Sequence, residues 1–162
     1  MAIKGTIEQH GWAYPSRMLS TTGGAHVYDL QVEGAALDNG CIVAVDFEKY
    51  KGFHKFGYKD STGVEAVVVD QSNEGDWLLV VTKPADGVLV RTDPMVHYEG
   101  IPSIGQRNFY NEIGDVAAGL ELSAGDFFEA SPKCFTDAEV KIGAKVTVEN
   151  TTHKLVAAPE AA

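Results

Sequence analysis

The sequence predicts an all-β chain: a small β-barrel or sandwich with an extended N-terminal arm and few or no helices. Three observations carry that expectation. Short runs rich in β-branched residues recur, bounded by Gly, Asn, Asp or Pro turn signals. No stretch of about 12 residues shows an apolar 3.6 period free of Gly or Pro. Seventeen glycines are spread along the 162 residues, which implies many tight turns rather than one flexible linker.

In chain order, residues 1–24 are polar and mixed, and Pro15, Ser16 and the Ser20-Thr21-Thr22-Gly23-Gly24 run oppose a continuous helix. They are expected to form an arm holding at most a short strand. Trp12 and Tyr14 lie in it, and aromatics in such an arm imply docking, either on its own domain or on a neighbour. A single β-rich domain is expected over 25–157, and a frayed tail over 158–162. Residues 26–32 alternate and read as a strand. Asn39-Gly40 supplies the positive φ angles of a tight turn, and 41–47 follows as an apolar strand.

Residues 49–59 (KYKGFHKFGYK) form a basic-aromatic loop. Further strands are expected at 65–70, 77–82, 88–91 and 126–130. Segments 144–149 and 153–156 flank Asn150-Thr151-Thr152 as a hairpin. The stretch 107–130 (RNFYNEIGDVAAGLELSAGDFFEA) reads as an aromatic run, a turn, a small-residue link and a strand opened by Gly125-Asp126. A short helix fits 115–122, weakened by Gly114 and Gly119. No repeat of fixed period is present, which argues against a solenoid or propeller.

Composition excludes several function classes. The formal net charge is −10, and the thirteen Lys and Arg form no basic stripe, so neither nucleic acid nor an anionic membrane is an expected partner. The longest apolar run, Trp77-Leu78-Leu79-Val80-Val81, is strand-sized and far short of the ~18 residues of a membrane helix. The N-terminus has no apolar signal region. Cys41 and Cys134 lack C-x-x-C spacing and read as two buried free thiols.

Motifs for chemistry are lacking. His10, His26, His54, His97 and His153 show no metal-site spacing, so no metal site is assigned. There is no Gly-x-Ser-x-Gly elbow and no phosphate loop. Lys133 beside Cys134 would lower a thiol pKa, but apolar neighbours favour a packed, inert side chain. Asp46 with Glu48, and Glu112 with Asp115, are carboxylate pairs that surface solvation explains. No catalytic residue and no cofactor is expected. The loop 49–59 carries the one basic cluster, interleaved with Tyr50, Phe53, Phe56 and Tyr58, and in an acidic chain it suits either a protein interface or an ordinary loop with anchored aromatics.

The order of motifs carries a resemblance. An Asn39-Gly40-Cys41-Ile42-Val43 strand is followed by a 77–91 hairpin. Then come Asn108-Phe109-Tyr110-Asn111-Glu112-x-Gly114-Asp115-x-Ala117, Gly125-Asp126-Phe127-Phe128 and a terminal hairpin. Over roughly 36–157 this resembles the head decoration, or auxiliary capsid, proteins of tailed bacteriophages. Ala118-Gly119 departs from the pattern, where an Arg is expected. The resemblance implies a non-enzymatic virion structural protein on the capsid exterior, made in the host cytoplasm. It also implies binding to the major capsid protein and homo-oligomerisation, a trimer suiting local threefold positions. Interface candidates are Trp12, Tyr14, Phe53, Lys55, Phe56 and Tyr58, with Phe109 and Tyr110 belonging to either the interface or the core. The alternatives are a phage tail or neck component, or a carbohydrate- or metal-binding β module.

Overall fold

The computed structural model describes residues 10–21, 26–50, 54–72, 75–91, 109–136 and 140–159. The chain is all-β, with curled sheets and no α-helix among the described residues. Its strands are β1 (Ala13–Arg17), β2 (Val27–Gln31), β3 (Leu37–Asp38), β4 (Ile42–Asp46), β5 (Gly57–Lys59), β6 (Glu65–Gln71), β7 (Trp77–Lys83), β8 (Val88–Arg91), β9 (Tyr110–Asn111), β10 (Val116–Glu121), β11 (Phe127–Ala130), β12 (Lys145–Glu149) and β13 (Lys154–Ala157).

One sheet has the order β2-β10-β8-β4-β5, with every neighbour antiparallel. Four antiparallel steps leave its first and last strands running the same way, so they can meet only in parallel. They do meet. A parallel bridge joins Leu30 to Phe56, the residue before β5, with Gln31 N–H donating to Phe56 O at 2.9 Å and Phe56 N–H to Asp29 O at 2.7 Å. This curled ring encloses Leu30, Val32, Val43, Val45, Val88, Val90 and Ala117. Gly119 sits inside the same ring. A Cβ there would lie 2.8 Å from Leu30 Cδ1 and 3.0 Å from Val88 Cγ2, so only hydrogen fits.

The other large sheet has the order β1-β11-β7-β6-β12-β13. Past β11, a 3-10 turn (Pro132–Cys134) carries Phe135 to a parallel bridge with Leu155 of β13, and Thr136 N–H donates to Leu155 O at 2.9 Å. The concave face packs Ala66, Val68, Leu79, Val81, Phe128 and Val146 against Ile42, Leu89 and Leu120 from the first sheet. Strands β4 and β8 are therefore buried on both faces. Ile42 and Leu89 serve one core and Val43, Val88 and Val90 the other, which is why both strands read as unbroken apolar runs.

One segment differs from the sequence reading, and a second settles an alternative that the sequence left open. Residues 115–122 are not helical: β10 covers most of them, because Ala117 and Gly119 are small enough to line the ring while Leu120 reaches the opposite core. Residues 10–21 of the arm pack on the chain's own domain, since β1 pairs with β11 (Ala13 opposite Ala130, Tyr14 opposite Glu129). Pro15 lies in that strand at the sheet edge, a position where its missing N–H costs no ladder bond. Met18 joins the core, and Leu19 N–H donates to Asp126 Oδ1 at 3.0 Å.

Candidate functional site

The described interface candidates sit on several elements: β1 and the residue before it, the segment leading into and through β5, and β9 with the residue before it. Trp12 is half-buried: its N–H donates to Ser131 Oγ at 3.0 Å and its carbonyl accepts from Ser131 N–H at 3.0 Å. Tyr14, two residues on, is 50% exposed. Tyr110 stacks on His10 with ring centroids 4.4 Å apart, and His10 Nδ1 lies 2.8 Å from Asp38 Oδ1. Asp38 Oδ2 also accepts from Gly11 N–H at 3.1 Å and faces Lys154 Nζ at 3.4 Å. Tyr110 is thus part of a clamp that fastens residues 10 and 11 to β3. Phe109 beside it is half-buried. Phe53 lies outside the described residues.

Several described residues of the basic-aromatic loop have partners within the chain. Lys49 pairs with Glu33, and the Lys55 ammonium donates to Gln31 Oε1 and lies 5.2 Å from the Tyr50 ring centroid. Tyr58 O–H donates to Glu33 O at 2.6 Å, and burial pushes its phenol above the usual range. Phe56 is half-buried, edge-on to Tyr28 (5.9 Å) and Phe47 (5.5 Å). These side chains hold the ring's seam more than they project from it.

The two cysteines are buried free thiols. Burial pushes Cys41 up to about 12 and Cys134 up to about 11. Cys134 Sγ is 3.1 Å from Trp12 O and 3.5 Å from Asn39 O, so it serves as a donor to backbone carbonyls. A thiol protonated at neutral pH is a poor nucleophile and a poor metal ligand. Among the described residues no three His, Cys, Asp or Glu side chains gather into a metal-sized cluster.

Two features escaped the sequence reading. The first is the convex face of the six-stranded sheet. The register sets Arg17, Phe127, Val80, Val67 and Lys145 directly opposite one another on five successive strands. That row crosses about 19 Å at ~4.8 Å per strand. A parallel row holds Tyr14, Glu129, Leu78 and Asp70. Phe127, Val80, Val67 and Leu78 are all half-buried, on the side of the sheet opposite the buried Phe128, Leu79, Val81, Ala66 and Val68. In the run 77–81, Leu79 and Val81 are buried while Trp77, Leu78 and Val80 are half-buried. The second is an opening at one end of the five-stranded ring, a cavity of about 250 Å³ lined by Tyr28, Val45, Phe47, Lys59, Asp86, Gly87, Val88 and Glu121. Phe47, 55% exposed, forms its rim.

The arrangement presents a half-buried apolar row with a cation at each end, and a small aromatic-walled cavity. Comparison with family models, with curated proteins and with solved structures finds no match for this chain.

Proposed function

We propose that this chain is a non-enzymatic virion protein of a tailed bacteriophage that binds the major capsid protein on the shell exterior and stabilises the head. The observation that carries the reading is the convex face of the six-stranded sheet. An antiparallel sheet with one solvated face normally alternates apolar and polar residues. Here the solvent-side positions of β6, β7 and β11 include Val67, Leu78, Val80 and Phe127. Such a face is stabilised by a partner that removes it from water, at roughly 25 cal/mol per Å² of apolar area. Arg17 and Lys145 at the ends of the row favour acidic groups on that partner. The motif order around 36–157 supports a decoration protein as the type of chain, and homo-oligomerisation would turn modest single contacts into firm attachment across capsomer joints.

The test uses heads that lack this protein. Wild-type chain and a Val80→Glu variant are added and co-sedimentation with the heads is measured. Wild-type attachment, with loss of attachment and an unchanged melting curve in the variant, is the expected result. Equal attachment of both removes this face from the account. Copy number per virion, by quantitative mass spectrometry, separates a shell location (hundreds) from a tail or neck location (a handful). Absence from purified virions overturns the virion reading itself.

A further inference from the structure

The cavity at the end of the five-stranded ring has a lining of unusual mixture. Its floor is apolar, formed by the buried Val45 and Val88. Phe47 stands at the rim, held edge-on by Tyr28 (5.6 Å) and Phe56 (5.5 Å), yet more than half of it stays open. Both charge signs reach the same space, Asp86 and Glu121 opposite Lys59.

Glu121 is oriented in advance. His26 Nδ1 lies 2.8 Å and Tyr28 O–H 3.1 Å from the same oxygen, Oε2. A carboxylate only accepts, so the His26 Nδ1 carries its proton toward it, and Oε1 takes part in neither of these two bonds. The Tyr28 phenol is raised by burial and by the Glu121 charge, which keeps it a donor. His26 holds this position with φ of 61°, a left-handed backbone that costs a non-glycine residue of order 1–3 kcal/mol and persists where the surroundings impose it. Such outliers gather at ligand clamps.

We infer that this cavity is a binding site for a single neutral saccharide ring. At about 250 Å³ it falls below the roughly 300–1,000 Å³ of drug-sized sites and suits one pyranose. The C–H face of the ring lies against Phe47, and its hydroxyls donate to Glu121 Oε1 and Asp86 and accept from Lys59. Two carboxylates reject a phosphate or a nucleotide. Lys59 rejects a cationic side chain, which the aromatic wall would otherwise attract. The polar rim disfavours a plain hydrocarbon. This site shares no residue with the convex sheet face, so it stands or falls apart from the shell-binding reading.

The test titrates the isotope-labelled full chain with the methyl glycosides of glucose, galactose, mannose and N-acetylglucosamine, and with a blocked lysine as the cationic probe, followed by amide chemical shifts. The expected result is saturable shifts at Phe47, Gly87 and Glu121 with at least one glycoside. Affinity should fall roughly tenfold in Phe47→Ala and in Glu121→Gln. Both changes are on the accessible rim, and melting curves verify that each variant is folded. No saturable shift with any glycoside, or binding unchanged in both variants, overturns the inference, as does binding of the blocked lysine in preference. Loss of head attachment by Phe47→Ala without glycoside binding overturns it too, and would assign the cavity to the shell interface.

Discussion

Replacing Asp126 should loosen the tie between the N-terminal segment and the β10–β11 turn. The residue is 6% exposed. Its Oδ1 accepts from Leu19 N–H at 3.0 Å and its Oδ2 from Ser123 N–H at 2.8 Å. Hydrogen bonds to a charged group contribute about 1.5–3 kcal/mol each. Leu19 is exposed, so its freed N–H recovers water and that bond counts at the low end; Ser123 is half-buried and recovers less. Asp126→Ala should therefore cost about 3 kcal/mol. An unfolding entropy of about 2.1 cal/mol/K per residue gives ~0.34 kcal/mol/K for this chain, so the midpoint should drop by about 9 °C. Asp126→Asn retains one acceptor but turns an N–H toward one of the two donors, and should cost about half as much. Calorimetry at neutral pH reads both variants, and limited trypsin digestion at Arg17 reads the loosened segment. A drop below about 2 °C for Asp126→Ala, or an Asn variant as damaged as the Ala variant, would refute the reasoning.

Other changes probe separate parts of the fold. Gly40→Ala combines φ of 88° with a Cβ 2.5 Å from Cys134 Sγ and should cost about 3 kcal/mol or more, whereas Gly143→Ala, at φ of 86° with nothing within 4 Å, should cost about 1–2; denaturant midpoints give the difference due to the clash. Asn111→Ala removes donation from the fully buried Nδ2 to Leu37 O (2.9 Å) and Asn39 Oδ1 (3.2 Å), and should lose about 2 kcal/mol by the same assay. The thiols of Cys41 and Cys134 should resist iodoacetamide in the native chain and react in denaturant. Their folded pKa values are raised to about 12 and about 11, so the unfolded thiols lose protons first: this contribution is full below about pH 9 and is lost as pH rises through 11 and 12. Stability flat over that alkaline window would contradict it.

The fold class was legible because strand signals are local. The runs around Ile42–Asp46, Trp77–Lys83 and the β12–β13 hairpin each carry their own β-branched residues and turn signals, and the structure places strands there. The Asn39-Gly40 turn was legible for the same reason: Gly40 takes the positive φ the dipeptide offers. Strands whose reason lies elsewhere were not legible. Val116–Glu121 is rich in small residues and extends because it pairs with β2 and β8, where Leu30 and Val88 crowd the position of Gly119. Gly57–Lys59 is extended because β4 pairs with it and Phe56 closes the ring on β2.

The surfaces divide the same way. Composition set the charge balance and residue spacing the scarcity of catalytic motifs, since both are read directly from the sequence. Which aromatics are buried depends on partners distant in sequence: Tyr110 is held by His10, Phe56 by Tyr28 and Phe47, while Phe47 itself stays open. Tertiary structure alone decided that Leu78 and Val80 face outward beside Phe127 and Val67, and that Glu121 meets His26 and Tyr28 at the mouth of a cavity. An apolar run states that a strand has two apolar faces; only the packing of the other sheet determines which face it covers.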